Sequence, residues 1–408
     1  MKRVIMNIVL MSLLLTFGIV QAEEESQYLL TESTYKALNN AQELMAKDKL
    51  NEAEAKLKSL LNKDSNGAYD KAIIQQTLGY LYSSREAYGQ ASRYFKLALD
   101  SGALPEKVSH DLRYNLAQLL LAESKFKAGI TLLEQWMKKE PSPATSAYVL
   151  LASANYQVNN YQKTINAIQV AIKRDKKAQE SWYQMLLSAH LELKQYKSAI
   201  KVLEKLIPSY PYKKVYWSQL SSLYLQQNKE FTALAVKMLM QRLDLGDGKT
   251  LINMADMYRY LRIPYKSAKL LDQAMSDGVI STNYKNLTRL AESWLAAREN
   301  DKAAAVLQKI IKLDDSGESD LKYARVLFQM ESWKQSIPAL QQSLTKLQGK
   351  KVGAARLLLG MTHYHLGHLS KAKTQFKHAV AFSNERNQAG QWLRHVERQL
   401  NEIKKDES

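Results

Sequence analysis

The stretch Ile74–Leu99, IQQTLGYLYSSREAYGQASRYFKLAL, decides how the whole chain is read. It falls into two helical halves around a short polar turn. The first half carries Leu78-Gly79-x-x-Tyr82, and the second, after Tyr88, carries Ala91-x-x-x-Phe95-x-x-Ala98. Gly79 and Ala91 have little or no side chain, so two helices can approach closely where they face each other. Tyr82 and Phe95 fill the space above and below, and Ala98 leaves room for a following pair.

The same grammar recurs along the chain. Met254-Ala255-x-x-Tyr258 precedes Ser267, Leu290-Ala291-x-x-Trp294 precedes Ala303, and Leu359-Gly360-x-x-His363 precedes Ala372-x-x-x-Phe376. The small residues of the second helices are Ala53, Ala91, Gly129, Thr164, Ala199, Ala233, Ser267, Ala303, Ser336 and Ala372, spaced 38, 38, 35, 35, 34, 34, 36, 33 and 36 residues apart. A fixed period in this range signals a stacked helical-repeat array. The extra residues of the early units are expected in loops between hairpins, around Asp64–Asp70 and Ser101–Glu106, where length costs little.

This pattern resembles the tetratricopeptide repeat family, whose unit is about 34 residues. The resemblance implies an all-α fold: a right-handed superhelix (α-solenoid) of about ten helical hairpins over residues 34–383. Residues 384–408 then form a C-terminal capping helix and tail, with Ala389, Trp392, Leu393, Val396, Leu400 and Ile403 as its apolar stripe. The packing positions are Gly79, Tyr82, Ala91, Phe95, Ala98, Ala255, Tyr258, Ala291, Trp294, Ala303, Gly360, Ala372 and Phe376.

The N-terminus reads as an export signal. Lys2 and Arg3 precede an uncharged apolar stretch, Val4–Val20, and a small-x-small site, Val20-Gln21-Ala22. Cleavage after Ala22 is expected, leaving an extended leader over residues 23–33. No later stretch is long and apolar enough for a membrane span. The chain has no cysteine, which excludes disulfides, thiolate catalysis and a lipoprotein anchor. A periplasmic location is therefore expected.

The formal net charge is +18, or +16 without Lys2 and Arg3. Such a charge favours acidic protein surfaces or weak contact with anionic envelope polymers or lipids. Export argues against nucleic acid. Composition is that of a folded helical protein, with only 15 Gly and 7 Pro and 46% hydrophobic residues.

No catalytic chemistry stands out. His363, His365 and His368 do not share one helical face. Gly248-Lys249-Thr250 lacks the leading glycine of a phosphate loop, because position 243 is Leu243. Asp314-Asp315-Ser316-Gly317 reads as a turn, not a calcium loop. The sequence thus predicts a non-enzymatic protein without metal or cofactor.

The family resemblance implies a partner-binding groove on the first helix of each hairpin. Carried onto this chain, its residues are Tyr80, Tyr114, Gln118, Tyr156, Arg259, Tyr260, Arg325 and Tyr364. Tyr and Arg are residue types that dominate binding hot spots. One variant of the family grips a C-terminal carboxylate with Lys and Asn at set places. Here those places hold Gln76, Tyr80, Tyr114, Gln118, Val149 and Ser153, so that clamp is missing. The whole chain is also similar to exported tetratricopeptide proteins that accompany TonB–ExbB–ExbD clusters of gammaproteobacteria, through its signal, its loose repeats and segments such as Tyr88-Gly89-Gln90-Ala91 and Met254-Ala255-Asp256-Met257-Tyr258. That similarity implies an accessory role in TonB-dependent transport across the outer membrane.

Overall fold

The computed structural model describes residues 28–63 and 67–406. The expected signal segment and residues 23–27 of the leader lie outside the described residues. The described chain is all-α: twenty-one helices and no strand. They come as ten hairpins and a last helix. The first five hairpins are α1 (Glu32–Ala46) with α2 (Leu50–Leu61), α3 (Ala68–Ser84) with α4 (Tyr88–Asp100), α5 (Glu106–Ala122) with α6 (Phe126–Lys139), α7 (Thr145–Gln157) with α8 (Tyr161–Arg174), and α9 (Glu180–Glu192) with α10 (Tyr196–Ser209). The next three are α11 (Lys214–Gln226) with α12 (Glu230–Arg242), α13 (Gly248–Tyr260) with α14 (Pro264–Ser276), and α15 (Tyr284–Ala296) with α16 (Asn300–Ile311). Then come α17 (Glu318–Gln329) with α18 (Trp333–Lys346), α19 (Lys350–His365) with α20 (Leu369–Val380), and α21 (Arg386–Asp406). Two compact units are present, one ending at Leu206 and the other beginning at Ile207.

The small residues of the second helices are all buried. Facing them, twelve residues earlier in the chain, stand first-helix residues that are nearly all small too. Hydrogen bonds mark the contact directly. Thr164 Oγ1 donates to Ala152 O (3.3 Å), Ser221 Oγ to Ala233 O (3.0 Å), and Ser336 Oγ to Ala324 O (3.1 Å). A hydroxyl at this place reaches the other helix's backbone because the helices touch there, and burial without that partner would be costly. Gly79 and Gly360 carry the closest versions. A Cβ on Gly79 would overlap the Phe95 ring, and one on Gly360 would lie 2.6 Å from Phe376 Cε1. Phe95 and Phe376 are among the largest fully buried side chains. Ala98 is buried together with Leu104 and Leu112 of the next hairpin, as the docking role requires.

Each hairpin turns in one way. A residue with positive φ follows the first helix at Asp48, Glu86, Ser124, Asn159, Lys194, Asn228, Arg262, Arg298, Glu331 and Gly367. The next backbone N–H then bonds back across six residues, from Lys49 N to Leu44 O (2.8 Å) in the first hairpin to His368 N to His363 O (2.9 Å) in the last. This is the Schellman arrangement, which satisfies the carbonyls left open at a helix end. Nine of the ten residues are not glycine, so the stacking of the two helices outweighs a left-handed penalty of roughly 1–2 kcal/mol at each turn.

Some boundaries differ from expectation. The first helix begins at Glu32, because Thr31 caps it by accepting from Thr34 N (3.3 Å). The insertion expected over Asp64–Asp70 ends earlier, since α3 starts at Ala68 and Asp70 is buried. The Asp70 carboxylate accepts from Thr31 N and Thr31 Oγ1, both at 3.1 Å, which ties the chain entry to α3. A second tie joins the first two hairpins. Glu54 accepts from Tyr82 OH (2.6 Å) and pairs with Lys58 (2.7 Å) and Arg85. Those contacts, Lys58 and Tyr82 foremost, hold its carboxyl at about 2.

Two substitutions test the packing. Phe95→Ala should cost roughly 3–5 kcal/mol through the cavity it leaves, and Gly79→Leu roughly 1–3 kcal/mol through overpacking, both read by urea unfolding. At the turn, Gly367→Ala should cost about 1 kcal/mol in the same assay. Neutral outcomes at all three would show that the hairpin register is misassigned.

Candidate protein-binding surface

In the unit that ends at Leu206, the expected surface residues are more embedded than free. Tyr80 is half-buried, packs edge-on against Phe95 with ring centres 4.9 Å apart, and accepts from Asn115 Nδ2 at 3.1 Å. Tyr114 stacks on Trp136 at 4.3 Å. Burial pushes both phenols up, so they stay neutral hydrogen-bonding groups at physiological pH. Tyr156 packs edge-on against Tyr161 at 5.4 Å and is half-buried. Gln118 departs from expectation: at 8% exposure it lies in the packed layer between helices and offers a partner little. Of the first helices in this unit, α7 carries no charged residue at all.

The unit that begins at Ile207 presents a different face. Arg259 of α13 bonds Glu292 of α15 (Nη1–Oε2 3.0 Å), and Arg289 of α15 pairs with Asp256 of α13 (3.6 Å). These reciprocal pairs join first helices of successive hairpins. Tyr260, at the end of α13, is 74% exposed. Arg325 of α17 is exposed and lines a cleft of ≈ 390 Å³ between α15, α16 and α17. Ala291, Leu295, Leu307, Ile310 and Val326 give the cleft its apolar lining, and Thr288, Glu292, Asn300, Lys322 and Gln329 add polar groups. The sequence reading picked out Arg325 but missed Lys322 and Glu292. Only the juxtaposition of two hairpins makes them neighbours, and no spacing within one repeat announces it.

Tyr364 is held by the last helix rather than left open. Its hydroxyl lies 2.9 Å from His395 Nε2, and its ring packs edge-on against Trp392 at 5.0 Å. His365 stacks on Trp333 at 4.6 Å. His363 is buried in the place that Tyr82 and Tyr258 take in their hairpins, and its Nδ1 has no hydrogen-bond partner. Among the described residues, no group of three or more His, Asp or Glu could hold a metal ion, and no helix is long and apolar enough to cross a membrane.

Comparison with known proteins fits these repeats. Residues 180–211, the α9–α10 hairpin, match the family model of the tetratricopeptide repeat. No curated protein matches the chain. Among solved structures, the chain is similar to MamA from Desulfovibrio magneticus, with 17% identity, a TM-score of 0.34, and 44% of this chain covered against 97% of that one. It is similar to a tetratricopeptide repeat protein from Parabacteroides merdae, with 12% identity, a TM-score of 0.32, and coverage of 70% and 98%. It is also similar to YrrB, described as a tetratricopeptide protein with an unusual peptide-binding site, with 19% identity, a TM-score of 0.33, and coverage of 46% and 93%.

His363 makes one property of the last hairpin measurable. Burial first, and then the nearby His368 and Lys371, lower its pKa below 6.5. The unfolded chain therefore binds the proton more readily than the folded one. The stability at stake is fully present above the unfolded value and is lost as pH falls through the folded value. Melting temperature should fall between pH 8 and pH 5, and His363→Tyr should flatten that slope; an unchanged slope would show that His363 is not the titrating group. The family-model match covers one hairpin of the ten, and the other nine reverse through the same left-handed turn.

Proposed function

We propose that this protein is a periplasmic protein-binding scaffold, an accessory of a TonB-dependent energy-transduction and outer-membrane transport system. The observation that carries the scaffold reading is the set of first helices. In each unit they repeat the same hairpin geometry while their outward side chains vary, from neutral Tyr, Asn and Ser in one unit to linked Arg and Glu in the other. A repeated frame with variable side chains is the arrangement by which such arrays read partner surfaces. The periplasmic placement rests on the Lys2-Arg3 signal pattern and the site after Ala22. The TonB assignment rests on the whole-chain similarity described above.

A second reading, a scaffold for exopolysaccharide export, cell-wall synthesis or envelope assembly, has one observation in its favour. The second helices α2, α4, α6, α8 and α10 hold 13 Lys and Arg against 5 Asp and Glu, whereas α1, α3, α5, α7 and α9 hold 4 against 7. Cations gathered on the second helices suit an anionic polymer, with affinity that falls as salt rises.

Crosslinking in intact cells, followed by fractionation and identification of bound proteins, separates the two. Recovery from the periplasm with TonB-system proteins, together with poor growth on iron chelates after gene deletion, is the expected result. Recovery with polysaccharide-assembly proteins, and binding of purified protein to peptidoglycan or anionic polysaccharide, favours the second reading. A cytoplasmic location overturns both.

A further inference from the structure

We propose that the cleft between α15, α16 and α17 binds an acidic peptide segment of a partner protein, taking an apolar side chain into its floor while neighbouring Asp or Glu carboxylates meet Lys322 and Arg325. This rests on the scaffold reading and names the chemistry of one site within it.

The shape argues for a side chain. A volume of ≈ 390 Å³ lined by Ala291, Leu295, Leu307, Ile310 and Val326 accepts one or two apolar side chains and releases the water over them. The charges argue for an acid. The carboxylate among the lining residues, Glu292, is already engaged by Arg259 (3.0 Å), and nearby Asp320, Glu299 and Glu318 are engaged by Lys346 (3.3 Å), Lys302 (3.0 Å) and Lys351. Lys322 and Arg325 line the same cleft, stand three residues apart on α17, and make no ion pair among the described residues. At that spacing they share one face of the helix. The cleft therefore presents two uncompensated cations beside an apolar floor. Asn300 and Gln329 at its edge can hydrogen-bond a peptide main chain.

This is not a reader of chain ends. The places that grip a terminal carboxylate in tetratricopeptide proteins of that kind hold Thr288 and Glu292 on α15 and Leu321 and Arg325 on α17, with no Lys and no Asn among them. The carboxylates expected at Lys322 and Arg325 belong to side chains.

The test uses the full chain and a fluorescein-labelled decapeptide in which Asp residues flank a central Leu-Phe, with both ends blocked. Fluorescence anisotropy should give saturable binding that weakens between 50 and 500 mM salt. Lys322→Gln and Arg325→Gln should each weaken it about fivefold, the scale of an exposed ion pair worth about 1 kcal/mol, and Arg325→Glu should weaken it further. Replacing Asp by Asn, or Leu-Phe by Ser-Ser, in the probe should abolish most of the binding. Both sites are solvent-facing, so melting temperatures should stay at the parent value and exclude misfolding. Equal binding of the Asn probe, or unchanged binding by the Lys322→Gln/Arg325→Gln double variant, overturns the proposal. Binding that needs a free C-terminus overturns it too. If cellular crosslinking captures a partner that the double variant still binds, this site fails while the scaffold reading stands.

Discussion

Everything in this molecule depends on the closeness of two helices at one point in each hairpin. Small residues twelve apart in the chain bring the backbones together, and the hydroxyls of Thr164, Ser221 and Ser336 record the approach by bonding to the facing carbonyls. The same closeness explains the turns. Once the helices are pressed together, the linker must reverse within a few residues, and a left-handed residue with a back-bonded N–H does so. Nine non-glycine residues accept that conformation because the packing on either side outweighs its cost.

Stacking hairpins by this rule leaves the first-helix faces free to differ. In the unit that ends at Leu206, Tyr80 with Asn115 and Tyr114 with Trp136 make aromatic and hydrogen-bonded contacts. In the unit that begins at Ile207, Asp256, Arg259, Arg289 and Glu292 weave a charged ladder between α13 and α15. Mutual pairing along that ladder removes its charge from play. Lys322 and Arg325, which pair with no acid among the described residues, lie one hairpin further on, beside the cleft.

Much of the fold was legible. The spacing of the small second-helix residues is repeated by the spacing of the left-handed turn residues, each five positions earlier. Yet the turn residues themselves gave no signal, since Asp, Glu, Ser, Asn, Lys, Arg and Gly all occur there. The surface was less legible, for a related reason. A residue's place within its repeat says which way it points, but not what the next hairpin lays over it. Gln118 and Tyr364 point as the repeat dictates and are then covered, one by packing within its layer and the other by α21.

The sequence by itself determined the number of hairpins, their register and the positions of close approach, because these depend on local periodicity and side-chain size. Tertiary structure alone decided which charges cancel and which stay free. Glu292 and Arg325 take the same place in their repeats, one past the small residue of the first helix. Arg259 meets Glu292 of the following hairpin, and Arg325 meets no acid among the described residues. Electrostatic partnership depends on distances across hairpins, and those are set only when the repeats stack.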